Sequence, residues 1–195
     1  MKKSTMKKSI AFIALIIGAL GVKAQQIEII PKAGINIGSQ SIKDGINGKS
    51  KVGFQGGLGL NLATGAPGFS VQPELNFVNK GASYNIGSIK EKINVNYLEL
   101  PVLAKYAYGP IYVNAGPSIG LRTGQDDKSK LALGNLKKVD FGVQMGLGLA
   151  LQAGLGKFII DGRYNLGLSN ISEIKGQNIK NRGMQFSLGY AIPLK

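Results

Sequence analysis

The sequence predicts an all-β protein, an eight-stranded antiparallel up-and-down transmembrane β-barrel. Three observations carry that prediction. Apolar and polar residues alternate with period two in eight separate stretches, the sign of strands with one apolar and one polar face. The connections between those stretches alternate between short and long, which puts all short turns at one end of a meander and all long loops at the other. After the N-terminal leader, no segment approaches the roughly 18 uninterrupted apolar residues of a helical span, whereas tilted strands of about 9 to 11 residues suffice to cross a bilayer.

The leader comes first. Lys2, Lys3, Lys7 and Lys8 precede an apolar run from Ile10 to Val22, and Val22 and Ala24 stand at −3 and −1 of a cut before Gln25. This pattern predicts a secretory signal peptide over 1–24 and a barrel domain over 25–195, since the apolar run is too short to span about 30 Å. No Cys follows the run, so a lipid-anchored N-terminus is excluded. Removing the five leader lysines from the net charge of +14 leaves about +9 on the mature chain.

The eight strands are then expected at about 27–38, 51–62, 69–77, 93–106, 111–122, 138–152, 157–168 and 183–194. The third is the cleanest short example, with Phe69, Val71, Pro73, Leu75 and Phe77 on one face and Ser70, Gln72, Glu74 and Asn76 on the other. The sixth repeats the pattern at greater length, with Val139, Phe141, Val143, Met145, Leu147, Leu149 and Leu151 alternating against small and polar residues. A helix would scatter either set around its circumference. Connections 39–50, 80–92, 123–137 and 169–181 are long, and 63–68, 107–110 and 153–156 are short.

An eight-stranded barrel is just wide enough inside for its own side chains, so the apolar faces must meet lipid and the polar faces must fill the lumen. That accounts for 29 glycines in 195 residues, because small inward residues leave space for a few large polar ones. A nucleotide-binding glycine loop is the competing reading, but no G-x-G-x-x-G sits between a strand and a helix. Phe69, Tyr106, Tyr112, Phe158 and Tyr190 near the short turns, and Phe54, Phe77 and Phe141 near the long loops, suggest two interfacial girdles.

Parity places Lys32, Glu74, Glu99, Lys105, Asp140, Asp161 and Arg163 inside, with Asn36, Gln55, Asn61, Asn114, Gln144 and Asn165. Such groups must neutralise one another in a narrow lumen, so a structural plug is expected. An active site is the sharper alternative. The chain has no Cys, His or Trp, which removes thiolate and imidazole chemistry and the usual zinc and haem ligands, and no nucleophile has an evident activating partner. No catalytic, cofactor or metal residue is therefore assigned.

The long connections are basic. Lys43, Lys49, Lys51, Lys80, Lys90, Lys92, Lys128, Lys130, Lys137, Lys138, Lys175 and Lys180 face five acids there, a net of about +7. Outward-facing, they would meet lipopolysaccharide phosphates, with Lys128, Lys130, Lys137 and Lys138 the candidate contacts; freely solvated lysines are the alternative. Nucleic acid is a poor fit because no aromatic stacking platform accompanies them.

Five segments, PKAGINIG at 31–38, QPELNFVNKGA at 72–82, YLELPVLAKY at 97–106, YVNAGPSIGL at 112–121 and RYNLGLSNI at 163–171, together resemble the PorT-like, "porin family" outer-membrane β-barrel domain over essentially the whole mature chain. The YLELPVLAKY block is the most specific. The resemblance implies a barrel in the outer membrane of a Gram-negative envelope, and no enzyme. PorT itself is associated with a secretion pathway. One departure is the ending Ile192-Pro193-Leu194-Lys195, where such barrels commonly close on an aromatic. The expectation is a monomer acting structurally or through its loops on an envelope partner. A narrow channel and a soluble lipocalin-like carrier are the rivals, the latter requiring the reverse parity.

Overall fold

The computed structural model describes residues 26–42, 49–86, 89–126, 134–174 and 176–194. The segment expected to be a leader lies outside the described residues. Among the described residues ten strands form: β1 (Ile27–Ile42), β2 (Lys51–Ala63), β3 (Phe69–Lys80), β4 (Ser83–Ile86), β5 (Ile89–Lys92), β6 (Val95–Tyr108), β7 (Ile111–Gln125), β8 (Val139–Ala153), β9 (Gly156–Gly167) and β10 (Ile179–Leu194). Eight of them close a barrel in the order β1-β10-β9-β8-β7-β6-β3-β2, every pair antiparallel, and the seam between first and last strands runs from Ile27↔Leu194 to Ile42↔Ile179. Closure leaves no free edge.

The alternation sets the two surfaces. On β8, Leu147 is 65% exposed on the outer wall while Gln144, three residues earlier and on the opposite face, is 0% exposed. Small inward residues permit this crowding. A Cβ at Gly148 would overlap the Tyr112 ring, and one at Gly116 would overlap the Val102 carbonyl across the β6–β7 pair. The β8–β9 hairpin turns on two residues, where Gly154 takes φ of 61°, the left-handed value that such tight turns require at a central position.

The structure differs from the sequence reading at the long-loop end. β1 runs on to Ile42, β7 to Gln125, and β10 starts at Ile179, so the wall continues past the expected strand ends. The connection expected over 80–92 contains the β4–β5 hairpin, paired from Ser83↔Lys92 to Ile86↔Ile89. Above the barrel these extensions and the intervening segments build an apolar core of Ile93, Val95, Tyr97, Leu136, Ile171 and Ile179, with Ile42 packed against it. Isolated bridges Leu136↔Ser172 and Lys49↔Ser83 tie the segments together.

Candidate functional site: the lumen and its two ends

Residues two apart on a strand share a face, so the inner face of β3 presents Gln72, Glu74, Asn76 and Lys80 in a column. Glu74 is the centre of the lumen. It receives Arg163 from β9, on the opposite wall, through two hydrogen bonds of 2.8 and 2.9 Å, and Lys32 from β1 at 2.6 Å. Gln72 and Asn76 donate to the same carboxylate at 2.6 and 2.8 Å. A carboxylate with paired N–H donors and a second cation is held by charge-assisted hydrogen bonds, the strong kind. Arg163 Nε also lies 2.5 Å from Asp161, which accepts the Tyr112 hydroxyl at 2.7 Å and Asn114 at 3.2 Å.

Toward the long loops lies a second cluster. Glu99 on β6 pairs with Lys80 and accepts from Gln144, Asn165 and Gln185 at 3.1, 3.2 and 3.2 Å. Lys80 also stands 3.6 Å from Asp140, which takes Asn181 and Ser169, each at 2.9 Å. Tyr97 forms the ceiling: the Lys80 ammonium sits 5.0 Å from its ring centroid, and the ring belongs to the apolar core above. The space bounded by Asn36, Lys80, Asn165 and Asn181 leaves no room for a water molecule.

The short-turn end is arranged differently. Lys157 and Asn61 bind Glu28 at 2.8 Å each, at the rim. Beneath the rim a cavity of about 800 Å³ opens between the short turns, with Lys105, Ser70, Asn61 and Ile159 among its lining residues. Lys105 touches Gln72 Oε1 at 3.3 Å and stands 4.0 Å from the centre of the Tyr112 ring.

Of the residues singled out in the sequence, Glu74, Arg163, Lys32 and Asp161 meet in one cluster, Glu99 and Asp140 in another, and Lys105 joins neither through an ion pair. Lys137 and Lys138 are exposed before β8, and Lys128 and Lys130 lie outside the described residues. Lys80 was expected in a loop and is instead inside the barrel, because β3 continues through it and even-numbered β3 residues face inward. Tyr112 was expected in a girdle and is instead buried, its phenol bonded to Asp161; it shares the parity of Asn114. Glu28 and Lys157 carried no sequence signal beyond parity. Phe69–Tyr106 and Phe158–Tyr190 are ring pairs, with centroids 4.6 and 5.3 Å apart near the short turns.

Among the described residues, five cations (Lys32, Lys80, Lys105, Lys157, Arg163) meet five carboxylates (Glu28, Glu74, Glu99, Asp140, Asp161), so this interior set is neutral. No group of three or more His, Cys, Asp and Glu among the described residues forms a metal site. A family of outer membrane protein beta-barrel domains matches residues 23–173. The chain belongs to that family. Its fold is also that of OprG from Pseudomonas aeruginosa, at 16% identity over 90% of this chain and 98% of the other, with a TM-score of 0.55. Neisserial surface protein A is similar at 14% identity, 84% and 96% coverage and a TM-score of 0.48. Ail, the attachment invasion locus protein of Yersinia pestis, is similar at 14%, 86% and 99%, with a TM-score of 0.45. No curated protein sequence matches the chain. Membership in the family places the protein in the outer membrane, surrounded by lipid on the Leu147 face.

Proposed function

We propose that the protein is a monomeric outer-membrane barrel with a plugged lumen, exported by a leader cleaved after Ala24, that acts structurally or through its long loops on the outer side, without catalysis. The observation that supports this most is the pair of ion clusters centred on Glu74 and Glu99, which reach across the lumen and give each of their four carboxylates, Glu74, Asp161, Glu99 and Asp140, a cation and at least one neutral donor. Desolvated charges so paired are rigid, and breaking them to admit an ion costs several kcal/mol or so. The interior residues Lys32, Glu74, Glu99, Lys105, Asp140, Asp161 and Arg163 are then a plug rather than a path. Lys137 and Lys138, with Lys128 and Lys130, would contact lipopolysaccharide phosphates, and an envelope protein partner, as in a PorT-type secretion accessory, would meet the same end.

Planar-bilayer recording on the refolded protein tests the reading. No stable open level is expected. A sustained conductance that changes its ion selectivity in Glu74→Gln would replace the plug with a narrow channel.

A further inference from the structure

The lumen is neutral as a whole but not end by end. The cluster around Glu99 and Asp140 has one cation, Lys80, for two carboxylates. The remaining set has four cations, Lys32, Lys105, Lys157 and Arg163, for three carboxylates, Glu28, Glu74 and Asp161. The surplus can be traced to one residue. Lys32, Lys157 and Arg163 each hold a carboxylate within 2.8 Å. Lys105 holds none within 4.0 Å among the described residues, although it is only 6% exposed. An ammonium has three N–H donors and no acceptor. One of those donors is used, at 3.3 Å, on the neutral Gln72 amide oxygen, and the Tyr112 ring lies at 4.0 Å. A nearly buried cation with an unfilled donor is expensive unless an anion or water meets it.

Lys105 is also the residue on which the cavity at the short-turn end rests. The cavity, about 800 Å³, lies within the range of small-molecule sites. Its wall is mixed. Ala107, Ala150 and Ile159 give inward apolar surface, while Glu28 and Lys157 are already engaged with each other at the rim. The buried Asn61 Oδ1, also on the lining, has no hydrogen-bond partner among the described residues. Site and charge therefore agree: a space ample for a small organic molecule, a partly apolar wall, and one cation that no carboxylate meets among the described residues.

We propose that the short-turn vestibule is a binding site for small organic monoanions, a carboxylate carried on an apolar body, with the Lys105 ammonium as the group that recognises the charge. The apolar body packs on Ala107, Ala150 and Ile159, which face inward at this end, and the carboxylate replaces the water that otherwise solvates Lys105. This site is separate from the long loops, and it stands whether or not the plug reading holds, because the ligand enters and leaves by the same mouth.

The test uses the refolded full mature chain in zwitterionic micelles, with phenylacetate as probe and phenylacetamide as its neutral match for partitioning into detergent. Backbone amide shifts are followed by NMR. Phenylacetate is expected to give saturable shifts at Ala63, Ala107 and Ile159, and phenylacetamide none. Lys105→Met should weaken phenylacetate by about tenfold or more, the loss expected for a charge-assisted hydrogen bond. Lys157→Gln, at the rim, should weaken it by less. A second reading needs no variant: Lys105 ε-methylene protons lie near the Tyr112 ring and are displaced upfield by it, so their signal should move with the same saturation curve. Equal shifts with the amide, unaltered affinity in Lys105→Met, or a Lys105 signal that stays fixed while the amides saturate would each overturn the proposal.

Discussion

The two ends of the barrel are built from opposite materials. At the long-loop end, strands overrun the wall and the segments between them pack Ile93, Leu136, Ile171 and Ile179 into a small apolar core, beneath which Lys80 is shared by two carboxylates. At the short-turn end, the turns are too short to fold over, an open cavity remains, and Lys105 lacks a carboxylate partner among the described residues. The difference teaches that connection length decides more than reach. A long connection supplies enough apolar residues to make a second core, whereas a two-residue turn supplies only a rim.

The largest test of the contrast is a matched pair of lysines. Lys80→Met leaves Glu99 and Asp140 buried without their cation, and removal of one partner from a buried pair costs about 3–5 kcal/mol. Lys105→Met removes a cation that no carboxylate contacts and should cost less than about 1 kcal/mol. Urea titration in lipid vesicles measures both. Equal losses would mean that the ends are electrostatically alike.

A smaller effect probes the cap. Leu136→Ala deletes a fully buried side chain from the apolar core and should cost about 2–3 kcal/mol, felt locally rather than through the wall. Hydrogen exchange should speed up at the Ile171 and Ile179 amides and stay unchanged at Ala115 on β7. Uniform acceleration would show the cap and barrel to be one cooperative unit.

The smallest effect per residue belongs to the exposed loop charges. Neutralising Lys128, Lys130, Lys137 and Lys138 together should lower retention on lipopolysaccharide at low salt, while Lys138→Gln alone should do little, because an isolated exposed pair contributes about 0–1 kcal/mol. The difference should fade as salt rises, since exposed charges are screened over about 8 to 10 Å. Retention of the quadruple variant equal to the parent's would leave these lysines merely solvated.

Period-two alternation made the wall legible, because a strand at a lipid boundary has a single consistent rule for its two faces. Exceptions arose where residue type was weighed above parity. Lys80 was assigned to a loop by its charge and Tyr112 to a girdle by its ring, yet each falls on the inward step of its own strand. Parity says which way a side chain points but not at what height, so it could not tell that Arg163 reaches Glu74 while Lys105 stands apart; height depends on the register of eight strands together. The cap was illegible for another reason. Leu136 and Ile171 lie 35 positions apart in connections that show no period-two alternation to mark an inner face, and only the closed barrel brings them together.

That dependence on closure reaches the centre of the lumen. Glu74 draws its cations from strands 42 and 89 residues distant, on β1 and on the wall opposite β3. A curled but unfinished sheet could bring Lys32 to Glu74 across β2, but it would leave Arg163 and Glu74 apart, facing water or lipid. The cluster is thus complete only when the first and last strands have met, which makes the sealing of the cylinder and the neutralisation of its interior a single event.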